Sequence, residues 1–171
     1  LPLRNGDERF YLLALFNWET GAPRTHDIPL ASLGLDSGAY HTVYDFWAGR
    51  YLGRVEGALQ AEVAPASVRL FGLRPYAGRP QFVAADNHLC MGALDQRGLA
   101  WDPAAGTLSG AFNTVAGTPY VLTFLCPDPW RPGQALVNGG AAPLAQDGPA
   151  LTLRFTPAST GETRWSVSFT R

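Results

Sequence analysis

Glycine and proline punctuate this sequence so densely that the longest stretch free of both runs only from Asp7 to Thr20. Each breaker costs a helix interior about 1 kcal/mol for Gly and about 3 for Pro, so helices of three or more turns have almost nowhere to sit. Several segments between the breakers alternate with period two, as half-buried strands do. Leu59, Ala61 and Val63 alternate with Gln60 and Glu62, and Leu151, Leu153 and Phe155 with Thr152 and Arg154. Trp165, Val167 and Phe169 alternate in the same way with Ser166 and Ser168 and mark a final strand. Phe10–Phe16 is apolar throughout and reads as a central strand covered on both faces.

The strands group into two blocks. Ala39 to Trp47, then Ala48-Gly49-Arg50, then Tyr51-Leu52-Gly53 predicts a hairpin, and Val68–Leu73 closes the first block. Arg74 to Pro80 has the composition of a linker. Further strands are expected near residues 81–85, 98–101, 107–113, 120–126, 135–137, 150–155 and 165–170. The predicted fold is therefore an all-β antiparallel sandwich arranged as two small domains in tandem, residues 1–76 and 77–171. At 171 residues with 46% apolar side chains, the chain can bury a core for each.

Charge and cysteine content narrow the function classes. Thirteen basic against fourteen acidic residues leave a formal charge of −1, which offers no electrostatic footprint for nucleic acid or an anionic membrane. No apolar run approaches the ~20 residues of a membrane-spanning helix. All basic residues are Arg, so Schiff-base chemistry and the phosphate-loop lysine are ruled out. Cys90 and Cys126 lie in apolar surroundings without a CxxC spacing, so no metal ligand set and no cofactor are expected, while their pairing is left open. The chain opens at Leu1-Pro2 without Met and reads as a piece of a longer polypeptide.

Catalytic patterns are sparse. Most carboxylates, among them Asp7, Asp36, Asp102, Asp128 and Asp147, sit beside turn residues, where they hydrogen-bond backbone. Asp45 falls inside an aromatic strand and is expected to have a structural partner. His26 and His41 are read as structural, and no GxSxG is present. Trp18, Trp47 and Trp165 are expected in the core, whereas Trp101 and Trp130, beside Asp102-Pro103 and Pro129, are expected on loops as sugar-stacking rings. Asn87 and His88, following Asp86, form a second candidate binding group, for sugar hydroxyls or a cation, with turn chemistry as the alternative reading.

Pro2-Leu3-Arg4-Asn5-Gly6-Asp7, Leu13-Ala14-Leu15-Phe16-Asn17-Trp18, Leu33-Gly34-Leu35 and Tyr44-Asp45-Phe46-Trp47 followed by Gly49 and Leu52-Gly53 occur in that order. This series resembles the C-terminal β-sandwich of α-galactosidase-type glycoside hydrolases over roughly the first 75 residues. One departure is Ala64-Pro65-Ala66-Ser67, where that family often has a Pro-His pair. The second block is similar to a β-rich tail of some bacterial members, at Arg79-Pro80-Gln81 and His88–Gly92. The resemblance implies a non-catalytic accessory region that follows a (β/α)8 catalytic barrel on the same polypeptide and packs against it, with the catalytic aspartates in that barrel. The alternative is an independent carbohydrate-binding module.

Overall fold

In the computed structural model, which describes residues 1–5 and 8–171, the chain is all-β and its paired strands are antiparallel. Gly6 and Asp7, where a turn was expected, lie outside the described residues. The chain divides into two compact units, one of Leu1–Arg4 with Glu8–Tyr76, the other containing Ala77–Arg171.

The first unit holds β1 (Pro2–Asn5), β2 (Glu8–Asn17), β3 (Arg24–Pro29), β4 (His41–Asp45), β5 (Arg50–Val55), β6 (Ala58–Val63) and β7 (Ser67–Pro75). Five of these form a sheet in the order β1-β2-β7-β4-β5, and β3 pairs with β6. The expected hairpin is β4–β5, with His41 opposite Val55 and Asp45 opposite Arg50. The alternation of β6 sends Leu59, Ala61 and Val63 inward, where they meet Leu15, Val43, Phe71 and Leu73 of the larger sheet. Apolar burial of this kind stabilises by roughly 25 cal/mol per Å2, which makes the interlocked row the source of the unit's cohesion.

Two expectations change here. Phe10–Phe16 is not covered on both faces: Ala14 and Phe16 are exposed, and the strands buried along their whole length are β4 and β8. Arg74 is not a linker residue but part of β7. It is 3% exposed, with its guanidinium 4.4 Å from the Phe10 ring centroid and 3.4 Å from Glu8. Burial lowers its pKa to about 10, partly offset by the Glu8 carboxylate.

The second unit holds β8 (Gln81–Ala85), β9 (Gln96–Asp102), β10 (Thr107–Thr114), β11 (Tyr120–Leu125), β12 (Arg131–Val137), β13 (Gly140–Ala142), β14 (Leu144–Asp147), β15 (Ala150–Phe155) and β16 (Gly161–Thr170). They form a five-stranded sheet, β13-β12-β16-β10-β9, and a four-stranded sheet, β14-β15-β11-β8. Leu108, Phe112, Trp165, Val167 and Phe169 of the first sheet pack with Phe82, Leu122, Phe124, Leu151 and Leu153 of the second. The period-two patterns at 150–155 and 165–170 thus point their apolar sides into one core, as a sandwich requires. Cys90 and Cys126 are both free thiols.

Candidate functional sites

The aromatic site begins at the β9–β10 turn. Asp102 accepts hydrogen bonds from the amides of Ala104 and Ala105 at 2.9 and 3.0 Å, the turn role expected of it. Gly106 has φ +60° and accepts the Phe169 amide at 2.7 Å. A Cβ there would collide with the Phe169 carbonyl oxygen, so only glycine lets this turn close on β16. The closure brings Trp101 edge-on to Trp130, with ring centroids 5.1 Å apart at 90°, and within 6.0 Å of the Phe169 ring.

These rings border a cleft of about 640 Å3, together with Arg79, Gly106, Phe169 and Arg171. The expectation that Trp101 and Trp130 are both displayed on loops is corrected. Trp101 is a residue of β9, half-buried against the core, and Trp130 is only 8% exposed. The cause is a turn in which the Trp130 amide donates to the Pro127 carbonyl at 2.9 Å, placing the indole in the core cluster. Each ring also carries a guanidinium: Arg79 lies 5.6 Å from Trp101 and Arg171 4.6 Å from Trp130. What the cleft presents is thus guanidinium groups over indoles, with no Asp or Glu among its lining residues.

Asn87 and His88 occupy the loop between β8 and β9. The neighbouring Asp86 is drawn away from them, accepting the Val121 amide at 2.9 Å. In its place the fold supplies Asp95, whose Oδ2 accepts from His88 Nδ1 at 3.0 Å and from Cys90 Sγ at 3.1 Å. The buried Oδ1 of Asn87 has no hydrogen-bond partner among the described residues. Burial, and then the Asp95 carboxylate, push the Cys90 thiol above its ordinary pKa, so it carries its proton at neutral pH. Sequence reasoning missed Cys90 and Asp95 by treating the cysteine as a buried hydrophobe; the available signal was His88-x-Cys90 in one short loop between strands.

The first unit presents a different surface. Phe16, Trp18 and Trp47 are 45%, 81% and 60% exposed, which corrects the core placement expected of Trp18 and Trp47. Trp165 is core, at 3%. Alternation along β2 assigns Tyr11, Leu13 and Leu15 to the unit's own core and leaves Ala14 and Phe16 on the other face. Asp45 has the structural partner expected of it, accepting from Arg69 Nε at 2.9 Å and from the Ala48 amide at 3.1 Å. His41 is buried, with Nδ1 3.0 Å from the Ala39 carbonyl oxygen.

Residues 1–73 match the family model described as the alpha galactosidase C-terminal beta sandwich domain. No curated protein matches the chain. Among solved structures, Arthrobacter globiformis T6 isomalto-dextranase complexed with panose is similar at 16% identity and a TM-score of 0.33, over 94% of this chain and 33% of that one. The chain therefore spans about a third of the length of that protein. The family match covers the first unit from β1 into β7 and the ordered motifs from Pro2-Leu3 to Leu52-Gly53. Over residues 1–73 the chain is thus similar to the alpha galactosidase C-terminal beta sandwich domain.

Proposed function

We propose that this chain is a non-catalytic accessory region of an α-galactosidase-like glycoside hydrolase, joined on the same polypeptide to a catalytic barrel that it supports in carbohydrate hydrolysis. The observation that carries this reading is the family match over residues 1–73. The exposed rings of Phe16, Trp18 and Trp47 support it, because large aromatic side chains left uncovered are a mark of an interaction surface. The carboxylates support it too. Hydrolysis needs two acids about 5 to 9.5 Å apart across a scissile bond, whereas Asp36, Asp45 and Asp102 are engaged with backbone amides or Arg69.

Two observations test the proposal. The isolated chain does not hydrolyse aryl α-galactosides or other aryl glycosides, and the coding sequence ahead of Leu1 encodes a barrel of about 250 residues or more. Turnover abolished by replacing a single carboxylate, or a secretion signal directly followed by Leu1, overturns it.

A second reading, an independent carbohydrate-binding module, is favoured by the cleft beside Trp101 and Trp130. Saturable glycan binding by the isolated chain distinguishes it from the first.

A further inference from the structure

We propose that His88, Cys90 and Asp95 form a three-ligand site for a zinc-class divalent cation, with its fourth position open to solvent. One ligand atom from each residue, the ring nitrogen, the thiol sulfur and a carboxylate oxygen, lies within 4.8 Å of the other two. About 2.0–2.1 Å to nitrogen, 2.0–2.2 Å to oxygen and 2.3 Å to sulfur are normal zinc bonds, and in a tetrahedron they set ligand atoms roughly 3.4 to 3.6 Å apart. The His88–Asp95 and Cys90–Asp95 separations are 3.0 and 3.1 Å, so those two pairs open by less than an ångström and the His88–Cys90 pair, within 4.8 Å, closes by up to about 1.2 Å to accommodate an ion.

Charge and softness choose the cation. A thiolate and a carboxylate together neutralise a dication, and the imidazole completes the set without adding charge. Calcium and magnesium require about six or more oxygen ligands, of which this trio supplies only those of Asp95; a sulfur, nitrogen and oxygen set suits zinc or its cobalt analogue. Three protein ligands with one free position is the pattern of an open zinc site rather than of a closed structural one. His88, with 63% of its side chain exposed, keeps one side accessible to an incoming ion.

The fold holds this trio in place from below. Met91 is fully buried and Ala93 is 3% exposed, so the loop is anchored on both sides of Gly92. Gly92 itself has φ +78°, and a Cβ there would lie 3.0 to 3.2 Å from Phe82, Ala85 and Phe112. The Met91 amide donates to the His88 carbonyl at 2.8 Å and the Ala93 amide to the Cys90 carbonyl at 2.9 Å. The two ligand-bearing backbone positions are thereby fixed before any ion arrives, which reduces the ordering needed on binding.

Binding exchanges protons without redox chemistry. The Cys90 S–H bond breaks, sulfur keeps the electron pair and donates it to the cation, and the proton goes to solvent. Neutral His88 moves its proton from Nδ1 to Nε2 and coordinates through Nδ1, so one proton leaves per ion bound.

The test is a Co2+ titration of the intact 171-residue chain, reduced and stripped with chelator. The expected result is saturable 1:1 binding with a thiolate-to-cobalt charge-transfer band in the near ultraviolet, displaced by Zn2+ and releasing about one proton per ion in weak buffer. The band disappears in Cys90→Ser, persists in Cys126→Ser, and needs at least tenfold more cobalt in His88→Ala, whose exposed side chain can be removed without disturbing the core. Absence of a charge-transfer band in the folded wild-type chain, its survival in Cys90→Ser, or equal affinity in His88→Ala overturns the proposal.

Discussion

Phe16 and Trp18 stack almost parallel, at 4° with ring centroids 5.3 Å apart, although 45% and 81% of their surfaces face solvent. An aromatic pair this open contributes little to its own unit and keeps its apolar area for something else. Trp18→Ser is therefore expected to change the stability of the isolated chain by less than about 0.5 kcal/mol, as surface substitutions do. The same variant lowers the binding of a hydrophobic fluorescent dye. Denaturant melts beside dye titrations check both; a loss of several kcal/mol would place Trp18 in the unit's own core energetics.

Arg69 ties the two sheets of the first unit together. It reaches Asp45 on β4 through Nε at 2.9 Å and the Glu62 carbonyl on β6 through Nη1 at 3.1 Å. Asp45 is 2% exposed, so Arg69→Ala leaves a buried carboxylate with the Ala48 amide in place of its charged partner. The expected cost is about 3 kcal/mol, read from urea unfolding, since removing one member of a buried pair strands the other charge. Arg69→Lys restores only part of it because the two-nitrogen grip on the carboxylate is lost. A loss below 1 kcal/mol for Arg69→Ala would contradict the assignment.

Alkaline stability should report Tyr51. Burial raises its pKa to about 12, with Arg54 opposing and Tyr76 assisting the rise. The unfolded chain releases that proton near pH 10, whereas the folded chain holds it until about pH 12. At this residue the unfolded state thus binds fewer protons over this window, so Tyr51's contribution to stability falls as pH rises from 10 to 12, while Arg74, whose burial lowers its pKa to about 10, contributes in the opposite sense. Tyr51→Phe should make the change in thermal midpoint between pH 9 and 12 less negative than in the wild type. An unchanged slope would show that Tyr51 titrates alike in both states.

Glycan affinity at the Trp101–Trp130 cleft is expected to be weak, because the indole faces already carry Arg79 and Arg171. Trp130→Ala is a poor control, since removing a core indole costs about 3–5 kcal/mol. Trp101→Phe and Arg79→Ala are better suited. Titrations with galactosides, glucans and xylans followed by Trp fluorescence should show no saturable micromolar binding in any of the three proteins. Micromolar binding by the wild type, lost in Trp101→Phe while the fold survives, would raise the binding-module reading above the accessory one.

The sheet strands were legible wherever burial imposed a strict period of two, as in β6, β15 and β16. β3 was hidden because one of its two half-buried positions is His26 rather than a hydrophobe, although it pairs with Ala61 as Ile28 pairs with Leu59. Trp18 and Trp47 defeated the reading for a different reason: sequence shows that a residue is apolar, but not whether its own unit has a second layer to cover it. Trp130 failed in the opposite sense, because a proline-rich segment looks like a displayed loop until its turn sends the ring inward. The His88–Cys90–Asp95 group depends on a folded loop that brings residue 95 back to residues 88 and 90, which no period or spacing rule predicts.

Hydroxyl-radical footprinting of Trp18 and Trp47, in the 171-residue chain and in the complete polypeptide that carries it, tests the accessory role most directly. Both rings are open in this chain, at 81% and 60% exposure, so both should be oxidised rapidly when it stands alone. If the first unit packs on a catalytic barrel through this face, their oxidation slows severalfold or more in the complete polypeptide, while buried Trp165 stays protected in both. Equal oxidation rates for Trp18 and Trp47 in the two proteins would contradict it.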